Sequence, residues 1–176
     1  KTKRLFSLPG ADDRRYVHSN PVWSPDGKSV LFAYAPAYKL TSLKDAASAV
    51  VEREEVAEFF EGDKKFRYDI HRIDFNDGRG GQATPLVGAS GNGRSNYFPR
   101  FSPDGRWIVF CQSDSFMLLQ PDSALYILPA DGGTPRRMRC NFPDKMNSWH
   151  SWSPNGRWLV FASKADGPFT QLWLTH

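Results

Sequence analysis

Phe98-Pro-Arg-Phe-Ser-Pro-Asp-Gly105 occurs three times in this chain with small changes, also as Asn20-Pro-Val-Trp-Ser-Pro-Asp-Gly27 and as Trp149-His-Ser-Trp-Ser-Pro-Asn-Gly156. Each copy runs without a gap into a basic residue and an apolar stretch: Lys28 with Val30-Leu-Phe-Ala33, Arg106 with Trp107-Ile-Val-Phe110, and Arg157 with Trp158-Leu-Val-Phe161. Matches of this length mark an internal repeat, which governs any local reading. The Ser-Pro-Asp/Asn-Gly unit is turn chemistry: Pro presets φ at the second position, Asp or Asn suits the third, and Gly takes a left-handed conformation. The unit predicts a tight hairpin from a short strand into a longer one. The stretch after the turn does not alternate apolar with polar residues, so that strand is expected to be buried on both faces.

An antiparallel strand covered on both sides fits a sheet sandwiched between like sheets. The predicted fold is therefore all-β, a β-propeller of four-stranded antiparallel blades. Weaker segments supply the remaining strands. Arg67–Phe75 alternates and ends in Asn76-Asp-Gly78; Ala124–Leu128 leads into Asp131-Gly-Gly133 and then Thr134–Met138; Phe169–Leu174 is the third strand of the last unit. The serines at 102 and 153 stand close to the blade period of about 40 to 50 residues, whereas those at 24 and 102 stand much further apart. The first unit thus carries an insertion at about 41–65, where Ser42-Leu-Lys-Asp45 resembles a capping box and Gly62 is placed to end a helix. This insertion reads as a decorating surface helix, with a lid or docking element as the sharper alternative. The expected organisation is a last strand of a preceding blade with its loop (1–19), a blade with the helical insertion (20–95), a second blade (96–146) and an incomplete third (147–176). About three blades form an arc, and its open faces point to a fragment of a longer chain, with self-assembly of two arcs as the lesser alternative.

Bulk properties narrow the function classes. Of 176 residues, 40% are hydrophobic and 14% aromatic, enough for a packed core and against wholesale disorder. The net charge of +4 is spread along the chain apart from Arg136, Arg137 and Arg139, unlike the concentrated basic face of a nucleic-acid binder. There is no apolar run of about 18 residues to span a membrane. Cys111 and Cys140 lack zinc, haem or redox spacing. The chain opens at Lys1 without Met or a signal-peptide pattern, so a leader removed or a longer parent chain is expected.

Candidate chemistry is sparse. Gly88–Ser95 nearly spells a phosphate-binding loop, but Arg94 replaces the lysine and a strand-like Asn96-Tyr-Phe-Pro-Arg follows where a helix is required, so it reads as an interblade loop. There is no Gly-x-Ser-x-Gly elbow, and the four histidines (18, 71, 150, 176) do not pair at metal-ligand spacing. No catalytic residue, metal or cofactor is assigned. Aligning the repeats places His18, Asn96 and Asn147 at one position and Pro21, Pro99 and His150 at another. With Arg100, the polar members (His18, Asn96, Arg100, Asn147 and His150) form the candidate ligand- or partner-binding set, since loops entering the innermost strands converge at a propeller's centre. His71 reads as a cross-strand neighbour, Trp152 as core, and Trp149 as interblade packing.

Trp23-Ser-Pro-Asp-Gly27 and its copies, with Asp131-Gly-Gly-Thr-Pro-Arg136 after a third strand, resemble the TolB-type, WD-repeat-like propeller repeat of bacteria. The resemblance implies a six-bladed propeller and an extracytoplasmic, periplasmic location. Similar propellers occur as domains of prolyl-oligopeptidase-like enzymes and of multihaem oxidoreductases such as the hydrazine synthase large subunit. Two functions stay open: a non-catalytic recognition or scaffold module that binds another protein or ligand, and an accessory propeller of a larger enzyme whose catalytic domain lies outside this stretch.

Cys111 ends a second strand and Cys140 lies at the end of the fourth strand of the same blade, with a third strand between. Their backbones are expected about two strand spacings apart, roughly 9–10 Å, beyond the ~7 Å that a disulfide spans. Alkylation in denaturant without reductant should therefore add two labels by mass; a protected pair would overturn the strand order.

Overall fold

The computed structural model describes residues 5–43, 52–59, 64–118 and 120–176. Within them the chain forms three antiparallel sheets whose strands follow one another in sequence order. The first holds β1 (Tyr16–Trp23), β2 (Ser29–Pro36), β3 (Asp69–Asp74) and β4 (Thr84–Pro85). The second holds β5 (Ser95–Phe101), β6 (Trp107–Ser113), β7 (Ala124–Pro129) and β8 (Arg136–Arg137). The third holds β9 (Asn147–Trp152), β10 (Leu159–Ser163) and β11 (Gln171–Thr175). The first strands lie side by side, β1 against β5 and β5 against β9, so the sheets are three successive blades of a β-propeller.

The repeated turn closes in the same way each time. Ser24, Ser102 and Ser153 donate Oγ–H to Oδ1 of Asp26, Asp104 and Asn155 at 2.6, 2.6 and 2.7 Å. The same oxygens accept the main-chain N–H of Ser29, Trp107 and Trp158 at 3.0, 3.0 and 2.9 Å, the first residue of the second strand or its immediate neighbour. The turn glycines hold φ of 71°, 71° and 69°, in the left-handed region that only Gly enters without cost. Asn155 serves as well as Asp because the contact needs only a side-chain oxygen acceptor.

The first strands are not short, as the hairpin reading expected. They run 8, 7 and 6 residues because each continues upstream through a bulge. Asn20, Phe98 and Trp149 occupy the same repeat position with φ of 50°, 51° and 41°, and the pairing of β1 and β5 with their neighbours shifts register there. One extra residue lets the inner strand bend while the ladder resumes on both sides. Conversely the fourth strands are shorter than expected, two residues each.

The second strands are buried as expected, with β2 covered from Val30 to Ala33 and β6 from Ile108 to Ser113. Odd and even positions face opposite neighbours. Leu31 and Ile70 meet Ile108, Phe110 and Leu128 in one interblade layer. Val109, Cys111 and Leu125 meet Leu159 and Phe161 in the next. Each layer is apolar on both sides, and each fully buried Leu, Ile or Phe contributes about 1.5–3 kcal/mol.

In the insertion, Arg53–Phe59 is a 3₁₀ helix; 44–51 and 60–63, including Asp45 of the expected capping box and Gly62, lie outside the described residues. Ser42 Oγ donates to the Glu55 carbonyl. Phe59 packs against Phe66 at 4.3 Å and stacks on Phe116 at 4.8 Å between ring centroids. Phe116 sits on the β6–β7 connection, so the helical element bridges the first two blades.

Ser102→Ala removes both the donor to Asp104 and the acceptor for Trp107 N–H. It should cost about 1–2 kcal/mol in urea unfolding, while Asp104→Asn should cost under about 0.5 kcal/mol, as the third blade's own Asn155 implies.

Candidate functional site

The five nominated residues separate into three groups once their partners are known. Asn96 and Asn147 are fasteners between blades. The main-chain N–H of Asn96 donates to the Tyr68 carbonyl at 2.7 Å and that of Asn147 to the Ser123 carbonyl at 3.0 Å. The Nδ2 of each reaches the same carbonyl, at 3.4 and 3.3 Å. Tyr68 and Ser123 precede the third strand of the blade before. Asn96 Oδ1 further accepts from Gln112 Nε2 at 2.9 Å, and Asn147 Oδ1 from Phe142 N–H at 3.1 Å. Both side chains are buried with their hydrogen-bonding capacity used within the fold, so neither has a group to offer a ligand.

His150 is also interior. Its Nε2 lies 3.0 Å from the Val109 carbonyl, which can only accept, so the proton sits on Nε2. Nδ1 then faces Cys111 Sγ at 3.7 Å as an acceptor, and Cys111 Sγ is 3.4 Å from Ser148 Oγ. Burial pushes the His150 imidazole down to about 4, against the opposing pull of the Val109 carbonyl. Burial likewise pushes the Cys111 thiol up to about 12. A nucleophilic Cys–His pair needs the reverse, a lowered thiol in an accessible electropositive site. This is a neutral thiol–imidazole–hydroxyl cluster that joins the second and third blades. Sequence reading missed Cys111 and Ser148 as partners of His150. A signal was present: Cys111 stands where the other repeats have Ala33 and Ala162, and His150 where they have Pro21 and Pro99, so two departures from the repeat meet across one interface.

His18 and Arg100 remain. His18 is half-buried between the rings of Phe32 and Tyr34, 5.4 Å from each centroid, and its Nε2 has no partner among the described residues. Arg100 on β5 is half-buried, donates Nη1–H to the carbonyl of its own neighbour Pro99 at 3.0 Å, and has no carboxylate at ion-pair distance among the described residues. Of the nominated set it alone presents an uncommitted charge. His71 pairs with Phe32 across the sheet and stacks on Tyr34 at 4.2 Å. Trp149, expected between blades, is 43% exposed with Phe98 at 6.0 Å on one side. Cys111 and Cys140 are both unpaired. No cluster of three or more His, Cys, Asp or Glu side chains suited to a metal occurs among the described residues.

Comparison with known proteins places the fold. No family model matches the sequence. A stretch of 68 residues, 39% of the chain, is 38% identical to an uncharacterized protein of Agrobacterium fabrum, covering 21% of that protein. A proposed TolB from Agrobacterium tumefaciens superposes with a TM-score of 0.53 at 23% identity over 93% of this chain and 46% of its own. An oligogalacturonate lyase in complex with manganese gives 0.57 at 17% identity, 88% and 37%. A prolyl endopeptidase gives 0.51 at 14% identity, 92% and 20%. The chain spans less than half the length of these solved structures. The likenesses establish a β-propeller as its fold, and nothing finer.

The buried imidazole makes stability depend on pH. Its folded value lies below the ordinary ~6.5, so the unfolded chain binds this proton first and stability falls as pH drops from about 6.5 towards about 4. The loss should be on the order of 3 kcal/mol. Urea titrations between pH 7 and 4 should show that loss in the wild type and a flatter profile in His150→Gln.

Proposed function

We propose that these blades form a recognition and scaffold module that holds another protein outside the cytoplasm of a bacterium, with no bond-making step carried by the chain itself. The observation that supports this reading is the state of the Cys111–His150 pair, a nucleophile–base contact near the inner strands, which is sealed and neutral. Arg100 is the anchor: a half-buried guanidinium without a carboxylate partner among the described residues matches a carboxylate of the bound protein through a charge-assisted fork. The extracytoplasmic location is supported by the resemblance of Trp23-Ser-Pro-Asp-Gly27 and its copies to TolB-type repeats and by the fold shared with the proposed TolB of Agrobacterium tumefaciens. A second reading, an accessory propeller that positions a catalytic domain in a larger enzyme, is favoured by the fold shared with the prolyl endopeptidase, of which this chain matches a fifth.

A photoreactive residue at Ser151, exposed on β9 at the position equivalent to Arg100, tests both readings in cells. A discrete intermolecular adduct that disappears with Arg100→Ala, at unchanged melting temperature, is the expected result. An adduct within the same polypeptide would favour the accessory-domain reading. An adduct indifferent to Arg100→Ala would remove Arg100 as the anchor, and no adduct at all would sink recognition at this site.

A further inference from the structure

The connection between the second and third strands differs most from blade to blade. Blades 2 and 3 make it with residues 114–123 and 164–170, whereas blade 1 takes 37–68. The longer connection holds its own side chains in place. Glu58 accepts from the Tyr38 hydroxyl and from the Thr41 N–H, both at 2.7 Å. The Tyr38 ring meets Phe66 edge-on at 5.0 Å between centroids, and Phe66 meets Phe59 at 4.3 Å. Walls fixed by one another need little further ordering when a ligand enters.

These rings border a cavity of about 220 Å³ against blade 1. Tyr38, Phe59, Phe66 and Tyr68 give it aromatic walls, and Val17 and Ala35, paired across β1 and β2, add an aliphatic side. Tyr68 packs on the apolar layer between blades 1 and 2, so the cavity belongs to a joint with both of its blades in place. Its charged lining, among the described residues, is wholly basic: Lys64, Lys65 and Arg67. Lys65 and Arg67 lie 2.8 and 3.5 Å from the Asp114 carboxylate, and Arg94, also on Asp114, has Asp122 besides. Lys64 has no carboxylate at ion-pair distance among the described residues. Its Nζ lies over the Tyr38 ring, 3.0 Å from the centroid, and 5.2 Å from that of Phe66. The acid that feels its charge, Glu58, is already bound to Tyr38 and Thr41. Four cations thus stand against Glu58, Asp114 and Asp122, an excess of one positive charge.

We infer that this cavity binds a small aromatic monocarboxylate, its ring among Tyr38, Phe59 and Phe66 and its carboxylate on the Lys64 ammonium. Three features select that class. The volume falls below the ~300–1,000 Å³ of drug-sized sites, which leaves room for about one ring system. Aromatic walls favour an aromatic guest through edge and offset-stacked contacts. A single excess positive charge suits a carboxylate better than a phosphate monoester, which carries about −1.5 to −2 at neutral pH. A charge-assisted hydrogen bond outweighs the cation–π contact that Lys64 gives up for it. The site is separate from Arg100, since Val17 lies near the start of β1 and Arg100 near the turn that ends β5.

Saturation-transfer NMR and calorimetry of the protein with phenylacetate should give a dissociation constant below about 1 mM. Phenylacetamide keeps the ring without the charge and acetate the charge without the ring; each should bind at least about tenfold more weakly. Phenyl phosphate should bind no tighter than phenylacetate. Lys64→Gln should weaken phenylacetate binding about fivefold or more, and Ala37→Phe, at an exposed position lining the cavity, should abolish it, both at unchanged melting temperature. Arg100→Ala should bind as the wild type does, which keeps this site's test apart from that of protein recognition. No transfer to phenylacetate, equal binding of phenylacetamide, tighter binding of phenyl phosphate, loss of binding in Arg100→Ala, or binding indifferent to both Lys64→Gln and Ala37→Phe would overturn the inference.

Discussion

A strand that is apolar on both faces cannot end at water, and the whole molecule follows from that constraint. β6 puts Ile108 and Phe110 towards the blade before and Val109 and Cys111 towards the blade after, and β2 alternates Leu31 with Val30 and Phe32 in the same way. A one-residue slip would exchange the two sets, so the register of every hairpin has to be held firmly. The serine of each turn does this by binding the turn's third residue and the main-chain N–H at the start of the second strand together. The turns themselves stack from blade to blade, with Gly105 against Pro25 and Gly156 against Pro103.

Apolar layers alone would let neighbouring sheets slide, because the hydrophobic effect is non-directional. Direction comes from a few polar fasteners at the blade joints. Asn96 and Asn147 fix the entry of each inner strand to the blade before it, and His150 ties the third blade to the Val109 carbonyl of the second. At the other end of the joint Arg72 donates to the Ala130 carbonyl. The inserted 3₁₀ helix adds an aromatic clamp above the first joint through Phe59, Phe66 and Phe116. Asn96, Asn147 and His150 are buried because they are satisfied there, and the same fact removes them from the list of groups able to bind something else.

The Cys111–His150 contact shows how little residue identity says about chemistry without its surroundings. A thiol and an imidazole within reach are the raw material of a nucleophile. Here the low-dielectric interior disfavours both charged forms, the imidazole proton is committed to a carbonyl, and the pair settles as two neutral groups.

The repeat, the turn chemistry, the doubly buried second strand and the unpaired cysteines were all legible in the sequence, since each depends on contacts within a few residues or on strand counting. The position of the insertion was legible from the repeat spacing for the same reason. The bulge at Asn20, Phe98 and Trp149 was not: a left-handed Phe or Trp has no local signature, and the conformation is imposed by pairing on either side of it. Nor was the division of the candidate site. His18, Asn96 and Asn147 share one repeat position, but whether a polar side chain there is free or spent depends on which carbonyl the previous blade brings to it. That carbonyl arrives from residues 24 to 28 positions away across an interblade joint, a distance at which only the assembled tertiary structure decides the outcome.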